Sequence, residues 1–425
     1  MNNQVVYGLL GNGLNVIIAP LKETMAVSTW VFAHGGSDYE TRENNGVHHF
    51  LEHMYFAGTK KRRHTYDIWS TIEGSGGAMN AQTERQVVGY GTVMNYDKLE
   101  LSLELIADIL FHSRFDENDI EKEKGIIIEE KRGSDDISQE LIYEIWDEHL
   151  FPNCPWGFPI IGSEENIRGM NRDALVSCMQ GHYRSNSMVL AIAGMVDAQE
   201  TMALANKYFS KARGGKKLAR VNGFKHAGCP QTRLHFKETQ ETHLVLGVRS
   251  NYHLFNPLKC AFELLGVILG GNSSSRLFNL VRSEKGLAYD IRTHNSIYTN
   301  RADLGTYAGV NHDNLEQVIK LIVQEYRKTA ASGVTQQELN LAKEYILGSM
   351  SRGLEDSSSL AATLALKKLM SEPYPMPQQE MDAVKKVTLE EVNQVAQDIF
   401  RNGKMNLVVL GPHKNQKQLE KLLKP

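Results

Sequence analysis

The sequence predicts an α+β chain made of two related domains in tandem. Three observations carry that prediction. The chain has 425 residues, more than a single ordinary core organises. Stretches of period-two alternation are interleaved with stretches of helical periodicity. A local pattern also returns 215 residues later: Leu21-Lys22-Glu23-Thr24 and the strand 27–33 are echoed by Phe236-Lys237-Glu238-Thr239 and the strand 243–248. The expected division is a domain over 1–212, a linker over 213–228 and a domain over 229–425. The polar, glycine-bearing run Lys211-Ala212-Arg213-Gly214-Gly215-Lys216-Lys217 marks the joint.

The elements follow in order. Residues 5–10 and 14–19 alternate as strands around Gly11-Asn12-Gly13, a hairpin signal, and 25–34 is a third strand. Thr65 opens a short helix over 65–73. Glycines at 74, 76 and 77 then lead into an edge strand ending at Thr83, with 86–93 as its hairpin partner. Helical spacing runs through 96–111 and 120–151, 188–195 closes the sheet, and 198–211 is a helix. In the second half, helices are expected at 257–269, 316–332, 335–351 and 357–370, and a last strand at 405–411.

Composition excludes several classes. Hydrophobic and charged contents of 41% and 23% are those of a globular protein. A formal net charge of −3 offers no general attraction to nucleic acid or to an anionic membrane. The basic cluster Lys60-Lys61-Arg62-Arg63-His64 reads as an exposed turn. No apolar run approaches the roughly 20 residues a membrane span needs, and no secretory or arginine-rich leader is evident. The expected compartment is the cytoplasm. Cys154, Cys178, Cys229 and Cys260 are scattered, without a CxxC pair or paired spacing; this fits a reducing compartment and excludes a thiolate zinc site.

The chemistry concentrates in Gly46-Val47-His48-His49-Phe50-Leu51-Glu52-His53-Met54. As a helix, this stretch sets the imidazoles of His49 and His53 on one face a turn apart, where two nitrogens suit one Zn²⁺. Glu52 lies close enough to reach a water on that metal. The pattern is H-x-x-E-H, the inverzincin motif. The same residues could form a solvated helix face. Against that, Val47, Phe50, Leu51, Met54 and Phe56 sink the helix in a core, where unpartnered imidazoles and a carboxylate would cost several kcal/mol. His48 projects about 100° from His49 and reads as structural or supporting.

These residues, with Phe56, Gly58 and Thr59, resemble the signature of the M16 (pitrilysin-like) zinc metallopeptidases, which usually carry a small residue where His48 stands. Glu123-Lys124-Gly125-Ile126-Ile127-Ile128-Glu129-Glu130-Lys131 is similar to that family's E-R-x-V-I-x-E-E-I. The resemblance puts Glu130 on the third ligand position and makes Glu123 a site-supporting carboxylate. Helical phase agrees: Glu123 and Glu130 nearly eclipse one another, while Glu129 projects elsewhere. Gly76-Gly77-Ala78-Met79-Asn80-Ala81-Gln82-Thr83 looks like the family's edge strand beside the metal, where Asn80 and Ala81 would bind substrate by strand addition. Ser274-Ser275-Arg276-Leu277-Phe278 and Val281-Arg282-Ser283-Glu284-Lys285-Gly286-Leu287-Ala288-Tyr289 resemble the family's substrate-binding segment, and Arg282 and Tyr289 keep its spacing.

The resemblance implies two homologous α+β domains, each a mostly antiparallel sheet with helices packed on one face, and only the first bearing metal. It implies a Zn²⁺-dependent endopeptidase with His49, His53 and Glu130 as ligands and Glu52 as general base. Arg282 and Tyr289 would be supplied by the second half, and the substrate would be a peptide or unfolded polypeptide taken in a chamber between the halves. A non-catalytic subunit of a peptidase or processing complex is the alternative. Family chains of this size often pair, so a homodimer or a heterodimer with a related chain is expected.

Overall fold

A computed structural model describes residues 5–215, 231–401 and 405–423. Most of the expected linker, residues 216–228, lies outside the described residues. The chain divides into two compact units. The first gathers Met1–Arg132, Cys154–Phe224 and Ser351–Pro377; the second gathers Gly133–Asn153, Lys225–Met350 and Gln378–Pro425.

In chain order the first part contains β1 (Val6–Leu9), β2 (Asn15–Pro20), β3 (Ala26–His34), α1 (Val47–Ala57), α2 (Thr65–Glu73), β4 (Ala78–Thr83) and β5 (Val87–Asn95). There follow α3 (Leu99–His112), α4 (Glu117–Asp136), α5 (Ser138–Leu150), α6 (Glu164–Gly169), α7 (Arg172–His182), β6 (Met188–Gly194) and α8 (Ala198–Phe209). The later part runs β7 (Thr232–Phe236), β8 (Thr242–Ser250), α9 (Lys259–Gly266), β9 (Ala288–Ile297), β10 (Ala302–Val310), α10 (Leu315–Ser332) and α11 (Gln336–Gly353). It closes with α12 (Ser357–Met370), α13 (Pro377–Lys386), α14 (Leu389–Arg401), β11 (Asn406–Gly411) and α15 (Gln416–Leu422).

The first sheet has the order β1-β2-β6-β3-β5-β4. Only β2 and β6 run parallel; the other neighbours are antiparallel. β6 is buried along its whole length and accordingly reads as an unbroken apolar run rather than an alternating one. Its alternate residues serve two cores. Met188, Leu190 and Ile192 join the core formed with α1, α3 and α8. Val189, Ala191 and Ala193 face Ala361, Leu364, Ala365 and Leu369 of α12. Ser28 and Trp30 on β3 also hydrogen-bond Ser357 and Ser358 at the start of α12.

The second sheet has the order β7-β11-β8-β10-β9, again with one parallel pair, β7 with β11. All strands of the first sheet come from residues before 195 and all strands of the second from residues after 231, but two helices leave their half of the chain. Helix α12 belongs to the first unit, and α5 to the second, where Trp146 donates to Asp303.

The continuous helix expected over 120–151 is instead two. Ile137 leaves the helical region at φ −79°, ψ 97°, directly after Gly133-Ser134-Asp135-Asp136. Those residues disfavour a helix interior because glycine is entropically costly there and the Ser and Asp side chains compete for backbone hydrogen bonds. Among the described residues no helix is long and apolar enough to cross a membrane.

Candidate metal centre

Helix α1 carries the motif, and its start is built around a buried carboxylate. Gly46 precedes it at φ 96°, a left-handed conformation that favours glycine. A Cβ there would also stand 2.5 Å from the Ile161 carbonyl oxygen. Glu40, 1% exposed, accepts from the Gly46 and His48 N–H groups at 2.8 and 3.0 Å and from Asn45 Nδ2 at 2.8 Å. An anion at a helix N-terminus satisfies otherwise orphaned donors and meets the positive end of the dipole. Burial alone would raise the Glu40 pKa, but His48 and the two backbone donors outweigh it and hold it below its ordinary value. Phe50, Leu51, Met54 and Tyr55 are fully buried and fix the rotation of α1. His49, Glu52 and His53 are thereby left on the opposite side.

Helix α4 brings the third group. Ile120, Ile127 and Ile128 anchor it in the core, and Glu123 is buried with them. Glu129 turns outward, 74% exposed, and pairs with Arg132 at 2.9 Å. Glu130 turns toward α1: its Oε1 is 3.5 Å from His49 Nε2 and its Oε2 is 3.2 Å from His53 Nε2. Ligand atoms of His49, His53 and Glu130 all lie within 4.8 Å of one another. In a tetrahedral zinc site with bonds of about 2.0–2.1 Å, such atoms stand about 3.3 Å apart. The donor set fits that ion in chemistry and in spacing.

The electrostatics point the same way. Burial would lower the His53 pKa, but its hydrogen bonds to Glu123 and Glu130 outweigh that cost and push the imidazole up to about 9. The hydrogen bonds from His49 and His53 hold the Glu130 carboxyl well below its ordinary range. Both shifts express one field, a centre that favours positive charge. Glu123 Oε2 lies 3.2 Å from His53 Nδ1, the arrangement in which a carboxylate orients a metal-binding imidazole and raises its basicity.

The other residues singled out in the sequence fall in two places. β4 is the edge of the first sheet, with Asn80 exposed and Ala81 half-buried. From this strand Thr83 Oγ1 donates to Glu52 Oε2 at 2.5 Å. Thr83 belongs to the quoted motif, yet no role could be read for it; only the fold brings its hydroxyl to Glu52. Arg282 and Tyr289 belong to the second unit. There the Arg282 guanidinium lies 5.3 Å from the Tyr289 ring centre and 4.9 Å from that of Phe278, within cation–π range, and Tyr289 is 81% exposed.

The basic run after α1 departs from the expected exposed turn. Arg62 is buried, donating to Asp108 at 2.7 Å and to Glu104 at 2.6 Å. Two acidic residues of α3 recruit it, an arrangement that charge counting along the chain cannot anticipate. Lys60 and Arg63 remain exposed.

Comparison with known proteins supplies the family. A model described as insulinase (peptidase family M16) matches residues 16–162, and one described as peptidase M16 inactive domain matches 169–346. A Bacillus subtilis protein named uncharacterized zinc protease YmxG is 30% identical over 397 residues, 92% of this chain and 94% of its own. An uncharacterized zinc protease of Mycobacterium leprae is 31% identical over 423 residues, 98% of this chain and 93% of its own. In fold, a protease from Helicobacter pylori matches with a TM-score of 0.88 at 22% identity, over 96% of this chain and 100% of that chain. A peptidase M16 inactive domain from Pseudomonas fluorescens matches with a TM-score of 0.88 at 19% identity, over 97% and 99%. With relatives named as zinc proteases aligned along nearly its whole length, this chain belongs to peptidase family M16.

Proposed function

We propose that the chain is a zinc-dependent endopeptidase that hydrolyses peptides or unfolded polypeptide segments. The observation that carries this reading is the convergence of His49, His53 and Glu130 within bonding reach of one ion, with Glu52 beside them and held by Thr83.

His49 Nε2, His53 Nε2 and one Glu130 oxygen would hold the ion, which leaves one of four coordination positions for solvent. Zinc, when bound, supplies Lewis-acid activation of a water, lowering its pKa from 15.7 toward about 7. Glu52 takes the proton from the attacking water and passes it to the departing amine. The Thr83 hydroxyl fixes one Glu52 oxygen and leaves the other for that proton. Glu123 holds the His53 ring in the tautomer that presents Nε2. The open edge of β4 accepts the substrate main chain as an added strand, with Asn80 and Ala81 at its contact face. Arg282 and Tyr289 are proposed to bind substrate and to stabilise the developing oxyanion, a role that rests on the family resemblance, as does a chamber between the halves. A pairing with a second or a related chain is proposed on the same ground.

The description "inactive domain" applies to residues 169–346, which include none of His49, Glu52, His53 and Glu130. That match bears on the second half, and a structure described as a peptidase M16 inactive domain shares the fold over 97% of this chain; the competing reading is a non-catalytic subunit. Glu52→Gln separates the two readings. The variant is expected to keep the wild-type zinc content and to cleave a quenched-fluorescence peptide 10²–10⁴-fold more slowly, the usual contribution of a general base. Wild-type turnover by Glu52→Gln, or no zinc-dependent cleavage by the native chain, contradicts the proposal.

A further inference from the structure

Next to the motif stands a second cluster that the proposed reaction does not use. Ligand atoms of His48, Cys178 and His182 all lie within 4.8 Å of one another. His48 is 1% exposed and sits one residue before His49 on α1. Cys178 and His182 are four residues apart near the end of α7, so both emerge from one face of that helix. The two rings meet edge to face, 4.4 Å between centroids. Cys178 is a free thiol.

The hydrogen bonds fix which nitrogens are available. His48 Nδ1 lies 2.9 Å from Glu40 Oε1, and a carboxylate accepts, so Nδ1 carries the proton. His182 Nδ1 lies 3.3 Å from the His34 carbonyl oxygen, and a carbonyl can only accept, so Nδ1 is again the donor. In the neutral rings the lone pairs therefore reside on Nε2. His48 Nε2 is buried without a hydrogen-bond partner. Imidazoles anchored through one nitrogen by a carboxylate or a backbone carbonyl, with the other nitrogen presented, are arranged as metal ligands are.

We propose that His48, Cys178 and His182 form a second transition-metal site, for an ion of the zinc class, that ties α1 to α7. Two imidazoles and a thiolate suit zinc and its neighbours rather than magnesium or calcium. With Zn–N near 2.0–2.1 Å and Zn–S near 2.3 Å, the ligand atoms would stand about 3.5 Å apart. The observed 4.8 Å limit thus leaves a contraction of at most about 1.3 Å on binding. Binding releases the Cys178 thiol proton to solvent and leaves the thiolate on the ion. The ion then holds the first turn of α1, from which His49 projects, against the end of α7. Sequence spacing excluded a thiolate site because the ligands come from two helices far apart in the chain; the fold, not a CxxC, gathers them. The site stands independently of the peptidase proposal, since neither ligand set includes the other.

Cobalt titration of the full chain tests it, because a thiolate-to-cobalt charge-transfer band in the near ultraviolet reports sulfur ligation and the His49–His53–Glu130 cluster contains no sulfur. The native chain is expected to bind two Co²⁺ and to develop the band. Cys178→Ser is expected to bind one ion and lose the band, whereas Cys260→Ser keeps both. His182→Gln gives the same loss and decides the matter if Cys178→Ser does not fold. In Glu130→Gln the band persists, which separates this site from the catalytic one. No band in the native chain, or a band that survives in both Cys178→Ser and His182→Gln, overturns the proposal.

Discussion

The two units use one strand plan to different ends. Stripped of the extra edge strand β1, the first sheet runs β2-β6-β3-β5-β4, and the second runs β7-β11-β8-β10-β9; matched in chain order, the two sequences are the same. Each has its single parallel pair in the corresponding place. The helices also correspond, α1 with α9, α3 with α10, α4 with α11, and α5 with α12, and this last pair is exchanged between the units. What differs is the chemistry hung on the plan. Both groups of described residues able to hold a metal lie in the first unit. Each unit also has an arginine hub, Arg62 bonded to Glu104 and Asp108 of α3 in the first and Arg276 in the second. Arg276 donates through Nε and Nη2 to the two oxygens of Glu338 at 2.6 and 2.8 Å, and through Nη1 to Glu325 at 3.1 Å and Thr329 at 2.9 Å. The strand plan is duplicated, and among the described residues the candidate metal ligands fall in one copy.

Three substitutions sharpen or break that contrast. The largest effect is expected from Arg276→Met. It strips the charge partner from Glu338, whose pKa falls from 4.5 to about 2 because Arg276 and the Thr335 backbone outweigh its burial. A carboxyl depressed in the folded state stabilises above its unfolded pKa, and that stability is lost as pH falls. Arg276→Met should therefore cost about 2–3 kcal/mol at neutral pH by chemical denaturation and should shrink the loss of stability between pH 4.5 and 2. Zinc content should not change; a variant that loses its zinc contradicts the separation of roles.

Next comes Glu123→Gln, which keeps the shape and removes the charge behind His53. Zinc affinity measured by competition with a chelator should fall 10–100-fold; unchanged affinity would mean that Glu123 only packs. The smallest effect is expected from Tyr289→Phe. A lost transition-state hydrogen bond should lower kcat by about tenfold or more, with zinc content unaltered. An unaltered kcat would show that the second unit contributes no hydroxyl to the reaction.

Much of the fold and the heart of the site were legible because local rules set them. The helix 65–73 was expected and observed with the same bounds, although its N-cap is His64, whose N–H donates to Asp67 at 3.0 Å, with Thr65 as the first helical residue. His49, Glu52 and His53 could be read together because i, i+3 and i+4 positions on one helix need no tertiary knowledge. Glu130 was picked out from Glu129 by the family resemblance, with helical phase in agreement. What stayed hidden depends on contacts between distant segments. Thr83 reaches Glu52 across the sheet edge, Glu40 caps a helix six residues away, and Arg62 is drawn inside by α3. The exchange of α5 and α12 carries no local signal. Amphipathic periodicity shows that a helix has a core-facing side and says nothing about which core it meets. Strands β9 and β10 were likewise passed over. β10 is buried throughout, and a glycine-rich stretch such as Ala302–Val310 lacks the alternation that marks a half-buried strand.

The most direct measurement is anomalous diffraction at the zinc edge from crystals of the zinc-loaded chain. The account predicts a peak about 2.0–2.2 Å from His49 Nε2, His53 Nε2 and a Glu130 oxygen together, with Glu52 near but unbonded. A zinc peak elsewhere only, or Glu130 turned to solvent while the two imidazoles hold the metal, would contradict it.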